Sequence, residues 1–195
     1  MVNLILASQS PRRRQLLTDA GYSFIVFPPN NDEPRPGKNQ RPEEYIRCCA
    51  TVKGENVLAR VRALAHEDVR DRQVIVACDT VALLNGEILG KPISRSDAFR
   101  MLRLLSDSYH DVLSGLYLCS VDGKQKAFAL VKTTLVMKEL SVPQIQAYLD
   151  TGLWEGKAGA FGYQDGNDWV KIVEGSESNV VGLPMEQLEV MLRDF

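Results

Sequence analysis

Hydrophobic and polar positions alternate in two periods along this chain. Residues 2–7 (VNLILA) form a short apolar run that reads as a strand buried on both faces. Ser10-Pro11 then opens a helix, with Ser10 as its N-cap and Pro11 in the first helical position, and Gly21 ends it. Residues 22–27 (YSFIVF) read as a second strand, the proline-rich stretch from Pro28 to Pro42 as a loop, and Glu43 to about His66 as a helix. A third buried strand, residues 73–78 (QVIVAC), is expected to stop at Asp79-Thr80. After it, "VALLNGEIL" reads as a hairpin around Asn85-Gly86.

Downstream, Ser96 to Leu105 has helical spacing with Ser94 as its cap, and residues 109–119 and 126–137 pair as strands through the Asp122-Gly123 turn. Val142-Pro143 opens a helix over Ser141–Asp150; a glycine-rich stretch, a strand at Val170–Val173 and a closing helix from Pro184 to Phe195 follow. Alternating strands and helices place the chain in the α/β class. With no flexible linker in view, residues 1–195 read as one domain, bilobed around a cleft.

Composition narrows the function. The 195 residues are 45% hydrophobic and 25% charged with a net charge of -2, so no global field draws the chain to nucleic acid or anionic lipid. Phosphate binding must come from a local cluster. No apolar run reaches the roughly 18 residues of a membrane helix, and no signal-peptide pattern stands at the N-terminus. Cys48, Cys49, Cys78 and Cys119 fit neither a zinc site nor a disulfide framework; Cys48 and Cys49 read as small core residues, and the chain as cytoplasmic and reduced.

Five stretches could carry chemistry. In the first, a helix N-terminus, two serine hydroxyls (Ser8 and Ser10) and the arginines Arg12 and Arg13 suit an anion, whereas Ser10 could be a plain cap and the arginines a solvated face. Since successive helical residues lie about 100° apart, Arg12, Arg13 and Arg14 cannot all face one ligand. Asp79, after an apolar strand, suits a divalent cation or an activated water, or else caps its own turn. Asp32-Glu33 lies in the proline-bounded loop, where acids are usually only solvated. Lys53 and Lys91 are surface charges by default. Gln164, after a run of small residues, could read a base edge by donating and accepting at once. His66 and His110 lack partners in sequence, and no P-loop or dinucleotide fingerprint occurs. Basic groups, carboxylates and glycine-rich backbone suit metal-assisted attack of water on a phosphoanhydride.

Taken in order, "LASQSPRR", Asp32-Glu33, Lys53, "CDTV", "NGEILGKP", "KAGAFGYQ" and "GSESNVVGLP" resemble the Maf family of nucleoside triphosphate pyrophosphatases, over Leu4 to Pro184. The resemblance implies a Maf/Ham1-like mixed sheet with flanking helices and a cleft between two lobes, in a homodimer. It also implies hydrolysis between the α and β phosphates with a divalent cation, Mg²⁺ foremost and Mn²⁺ or Co²⁺ as alternatives. Asp79 would accept a proton from water and share metal with Glu33; Ser8, Ser10, Arg13, Lys53 and Lys91 would hold the triphosphate. Arg12, Thr80 and Gln164 match the branch acting on dTTP and UTP rather than the one acting on 7-methyl-GTP. The family name is also associated with septum inhibition, which implies a nucleotide-binding regulator as an alternative. Three departures stand out: Ala77-Cys78 where Gly-Ala is usual, Gly54 for alanine, and Asp165 for glycine, the last expected to add negative charge near the base.

Overall fold

Apolar residues of the first and third strands alternate between two cores, which is why both strands read as continuous hydrophobic runs. In the computed structural model, which describes residues 3–32, 34–37, 40–64 and 73–195, strand β1 is Asn3–Leu6 and β3 is Gln73–Leu84. Leu4, Leu6, Val74, Val76 and Cys78 face one core with Leu17, Leu188 and Met191. Ile5, Ala7, Ile75 and Ala77 face the other with Ala50, Val57 and Leu58. Helices α1 (Pro11–Asp19) and α6 (Met185–Leu192) supply the first set, and α2 (Pro42–Leu64) supplies the second.

The sheet order is β2-β1-β3-β5-β6-β7, with β4 paired to β3. Strand β2 is Phe24–Val26, shorter than residues 22–27 because it is an edge strand with one neighbour. Strands β4 (Glu87–Leu89), β5 (Ser108–Ser120), β6 (Lys126–Met137) and β7 (Val170–Glu174) complete the sheet. β2, β1 and β3 are parallel, with Leu6 opposite both Val26 and Val76, while β6 and β7 are antiparallel. Parallel and antiparallel pairs with helices between them make this a mixed sheet in an α/β fold, the class the pattern implied and the mixed sheet the resemblance implied. Among the described residues, no helix is long and apolar enough to cross a membrane.

Packing divides the chain into two units. The first comprises Met1–Asp79, Ser114–Val131 and Gly182–Phe195; the second comprises Thr80–Leu113 and Lys132–Val181. In the first, α1 joins β1 to its neighbour β2 and α2 then crosses to β3 on the other side of β1, so strand order reverses between β1 and β3. Ligands of open α/β sheets bind outside the carboxyl ends of strands at such a reversal. Ser8 follows β1 there, and Asp79 lies three residues past Val76, the last position at which β3 pairs with β1.

The second unit is built on a core of Met101, Leu102 and Leu105 from helix α3 (Arg95–Leu105) and Ile145, Tyr148 and Leu149 from α4 (Val142–Asp150). Leu135, Met137 and Trp169 fill the same core. Ser94 caps α3 by accepting from Asp97 N–H, and Ser141 with Gln144 forms a capping box on α4. The glycine-rich stretch folds as two 3₁₀ turns, Ala158–Ala160 and Tyr163–Asp165.

Two expectations about elements are corrected. β3 does not stop at Asp79-Thr80 but runs on to Leu84, because it goes on pairing with β4 through Ala82, Leu83 and Leu84. Asp79 is therefore a strand residue and not a turn cap. The closing segment holds a further short helix, α5 (Glu177–Val181), which Gly182 (φ 124°) and Pro184 separate from α6. Five residues carry too little periodicity for that helix to be seen in sequence.

Candidate active site

At the carboxyl end of β1, Ser8 Oγ accepts from Ser10 N–H (3.1 Å) and from Arg13 Nη1 (3.2 Å). Both acceptor positions are thus occupied from within the chain, and the hydroxyl proton is left to donate outward. Ser10 Oγ accepts from Arg13 N–H (3.4 Å), as an N-cap should. Arg13 Nε donates to the carbonyl of Gly182 (2.8 Å), which fixes the guanidinium beside Ser8 before any ligand arrives. Arg12 and Arg13 are half-buried while Arg14 is exposed, so the helix turns only two of its three arginines inward. The aligned peptide dipoles of α1 add a partial positive charge at this corner.

The same unit pairs Lys53 with Asp79. Lys53 Nζ lies 3.0 Å from Asp79 Oδ1, with side chains 9% and 13% exposed. Lys53 is buried because it stands on the face of α2 that carries Ala50 and Val57 into the core. One helical turn earlier, Cys49 also meets Asp79, whose carboxylate accepts from its thiol. Burial, and then the charge of Asp79, push the Cys49 thiol up to about 12, so it stays protonated and able to donate. Tyr45 Oη donates to the Pro34 carbonyl (3.1 Å), holding the proline-rich loop to α2.

Cys49 is buried, as its reading as a core residue implied, but its contact with Asp79 and the part played by Tyr45 were not foreseen; the available signal was the i, i+4 spacing of Cys49 from Lys53 on one helix face. Cys48 is not a core residue at all but exposed, since it projects from the opposite side of α2. His110 is buried, and burial lowers its pKa, so it is a neutral core histidine. Glu33 and His66 lie outside the described residues.

Two departures from the family pattern have physical reasons here. A Cβ on Gly54 would lie 2.7 Å from Tyr117 Cε1 and still closer to Cδ1, so glycine after Lys53 makes room for the Tyr117 ring. Cys78 Sγ–H donates to the Gly182 carbonyl (3.3 Å), the same oxygen that holds Arg13.

In the second unit, Thr80 continues β3, Lys91 follows β4 and Gln164 lies in the second 3₁₀ turn; Lys91 and Gln164 are exposed. Gly159 N–H donates to the Gly90 carbonyl (3.0 Å), lacing the segment before Lys91 to the glycine-rich turns. Asp165 does not add a free negative charge. It forms an ion pair with Lys157, the two side chains being 8% and 11% exposed, and it accepts from Tyr148 Oη (2.5 Å). The structure therefore brings Ser8, Ser10 and Arg13 together, and Lys53 with Asp79, in the first unit, and carries Thr80, Lys91 and Gln164 in the second.

The Maf-like protein family matches residues 3–195 of the sequence. The chain belongs to the Maf family. Among its relatives, a dTTP/UTP pyrophosphatase of Rhodopirellula baltica is 46% identical over 99% of this chain and 82% of the relative. A dTTP/UTP pyrophosphatase of Bdellovibrio bacteriovorus is 37% identical over 98% of each chain. A solved HAM1 protein from Coxiella burnetii shares the fold, with a TM-score of 0.51 at 12% identity over the whole of both chains.

Proposed function

We propose that this Maf protein hydrolyses dTTP and UTP between the α and β phosphates, releasing the monophosphate and pyrophosphate. The observation that carries the reading is the enclosed Lys53–Asp79 pair, where Asp79 lies within β3 just past its pairing with β1 and one residue from Cys78, whose acceptor Gly182 also positions Arg13. A cation-neutralised carboxylate and a preset serine–arginine corner are the groups that this hydrolysis needs. In this reading Asp79 takes a proton from water as the water oxygen bonds to phosphorus and pyrophosphate leaves. Ser8, Ser10, Arg13, Lys53 and Lys91 hold the phosphates. Arg12, Thr80 and Gln164 favour a pyrimidine; the glutamine amide matches the N3–H and O4 edge of uracil or thymine.

The donor set fits a hard cation. Among the described residues no group of three or more His, Cys, Asp and Glu side chains could enclose a metal. Mg²⁺ needs less than that from a protein: one or two carboxylates plus substrate phosphate oxygens. Asp79 would supply one and Glu33 the second, and the cation would neutralise charge on the leaving pyrophosphate. The reading includes a cytoplasmic homodimer, for which light scattering and cell fractionation are the checks. Nothing in the geometry favours a binding-only regulator over an enzyme.

The test is a comparison of kcat/KM for dTTP, UTP, CTP, 7-methyl-GTP and dITP with Mg²⁺. Preference for dTTP and UTP is expected. Preference for 7-methyl-GTP would overturn the base assignment, and no turnover by folded protein would overturn the enzyme itself.

A further inference from the structure

Asp165 stands next to Gln164 in sequence, yet its side chain is enclosed while Gln164 is exposed. Both belong to the one-turn 3₁₀ segment Tyr163–Asp165, closed by Asp165 N–H donating to the Gly162 carbonyl (3.1 Å) and ended by Gly166 at φ 78°. Successive side chains in such a turn are about 120° apart, so fixing one of them inward sends its neighbour outward. Asp165 is fixed inward twice over, by its ion pair with Lys157 and by the hydrogen bond from Tyr148. Tyr148 is itself held: its ring packs against Phe161 and Trp169, with centroids 5.9 and 5.4 Å away. The ion pair packs directly over Gly162: a Cβ there would lie 2.5 Å from Lys157 Nζ and 2.6 Å from both Asp165 carboxylate oxygens, so a side chain at 162 would have to displace the pair. The turn is thus built around the ion pair, and Gln164 is left exposed on its outer side.

We propose that Asp165, anchored by Lys157 and Tyr148, is a positioning residue that presents the Gln164 amide to the base of the nucleotide. The proposal rests on the reading of Gln164 as the base-contacting residue. Lys157, the first residue of "KAGAFGYQ", serves this anchor from a half-buried position. Binding energy from a base contact depends on where the amide is held; a loose turn loses that contact without touching the phosphate chemistry.

The experiment uses the full chain with Tyr148→Phe, Asp165→Asn and Gln164→Ala. It measures KM and kcat for UTP, the inhibition constant of inorganic pyrophosphate, which carries no base, and Tm. Tyr148→Phe keeps the ring in the aromatic trio and removes only the hydroxyl. The expected result is that both anchor variants raise KM for UTP about three- to tenfold, approaching Gln164→Ala, with kcat within about twofold. Pyrophosphate inhibition stays at the wild-type value. If KM is unchanged in the folded anchor variants while Gln164→Ala raises it, the proposal is overturned and the ion pair is a stability element only. If pyrophosphate inhibition weakens in step with KM, the damage is general and the proposal is likewise overturned. If Gln164→Ala itself leaves KM unchanged, the failure lies in the base-reading assignment, and the positioning role falls with it.

Discussion

Replacing Lys53 by methionine isolates what the Lys53–Asp79 pair does. At 3.0 Å and an effective dielectric of about 20, the Coulomb attraction is about 5.5 kcal/mol. Desolvation of two groups this enclosed returns a comparable amount, so the intact pair contributes little net stability. Breaking it is different, because Lys53→Met leaves the Asp79 carboxylate buried without its cation, at a cost of about 3–5 kcal/mol. For a chain of this length each kcal/mol lowers Tm by about 2–4 °C, hence a fall of about 6–20 °C. The double variant Lys53→Met/Asp79→Leu removes both charges and should recover most of that loss, while remaining inactive. Activity should drop at least about a hundredfold in Lys53→Met, Asp79→Asn and the double variant alike. Calorimetry on all of these and on wild type, with pyrophosphate release as the activity assay, completes the cycle. A Lys53→Met protein within 2 °C or so of wild type, or a double variant less stable than Lys53→Met, would refute the reasoning.

Two further outcomes follow from the packing. Gly54→Ala should destabilise the protein by about 1–3 kcal/mol despite alanine's higher helix propensity, because the Tyr117 ring occupies the space its Cβ needs. A smaller residue at 117, as in Gly54→Ala/Tyr117→Leu, should restore part of the urea midpoint, and an unshifted midpoint in Gly54→Ala would contradict this packing. His110 makes stability pH-dependent: burial lowers its folded pKa, against smaller opposing effects of Ser108 and Asp111. The unfolded chain then takes up a proton below about pH 6.5 that the folded protein resists, so stability present above that pH is lost as pH falls. Tm between pH 7 and pH 5 should therefore fall less steeply in His110→Gln than in wild type; equal slopes would contradict it.

What could be read from sequence and what could not divide along physical lines. β1, α1 and α4 were legible because each carries its own punctuation: an apolar run, Ser10-Pro11, and Ser141 with Gln144. The continuation of β3 through Asp79 was not, since Asp is disfavoured in strands and favours turns, and only pairing with β4 overrides it. The residues at the site were legible as types in order, but their partners were not. That Asp79 meets Cys49 as well as Lys53 depends on how α2 packs on β3, and the common acceptor of Arg13 and Cys78 is a backbone carbonyl more than a hundred residues away in sequence, which side-chain identity does not encode. Asp165 looked like added negative charge for the same reason: its neutraliser, Lys157, reaches it only after the chain turns at Gly159 and again through Tyr163–Asp165.

The most direct test of the central claim is the identity of the products. Phosphorus NMR of dTTP or UTP incubated with the protein and Mg²⁺ should show the monophosphate and pyrophosphate resonances growing together, and neither with Asp79→Asn. Appearance of the diphosphate with orthophosphate would place cleavage at the wrong anhydride, and full activity in Asp79→Asn would remove Asp79 from the chemistry.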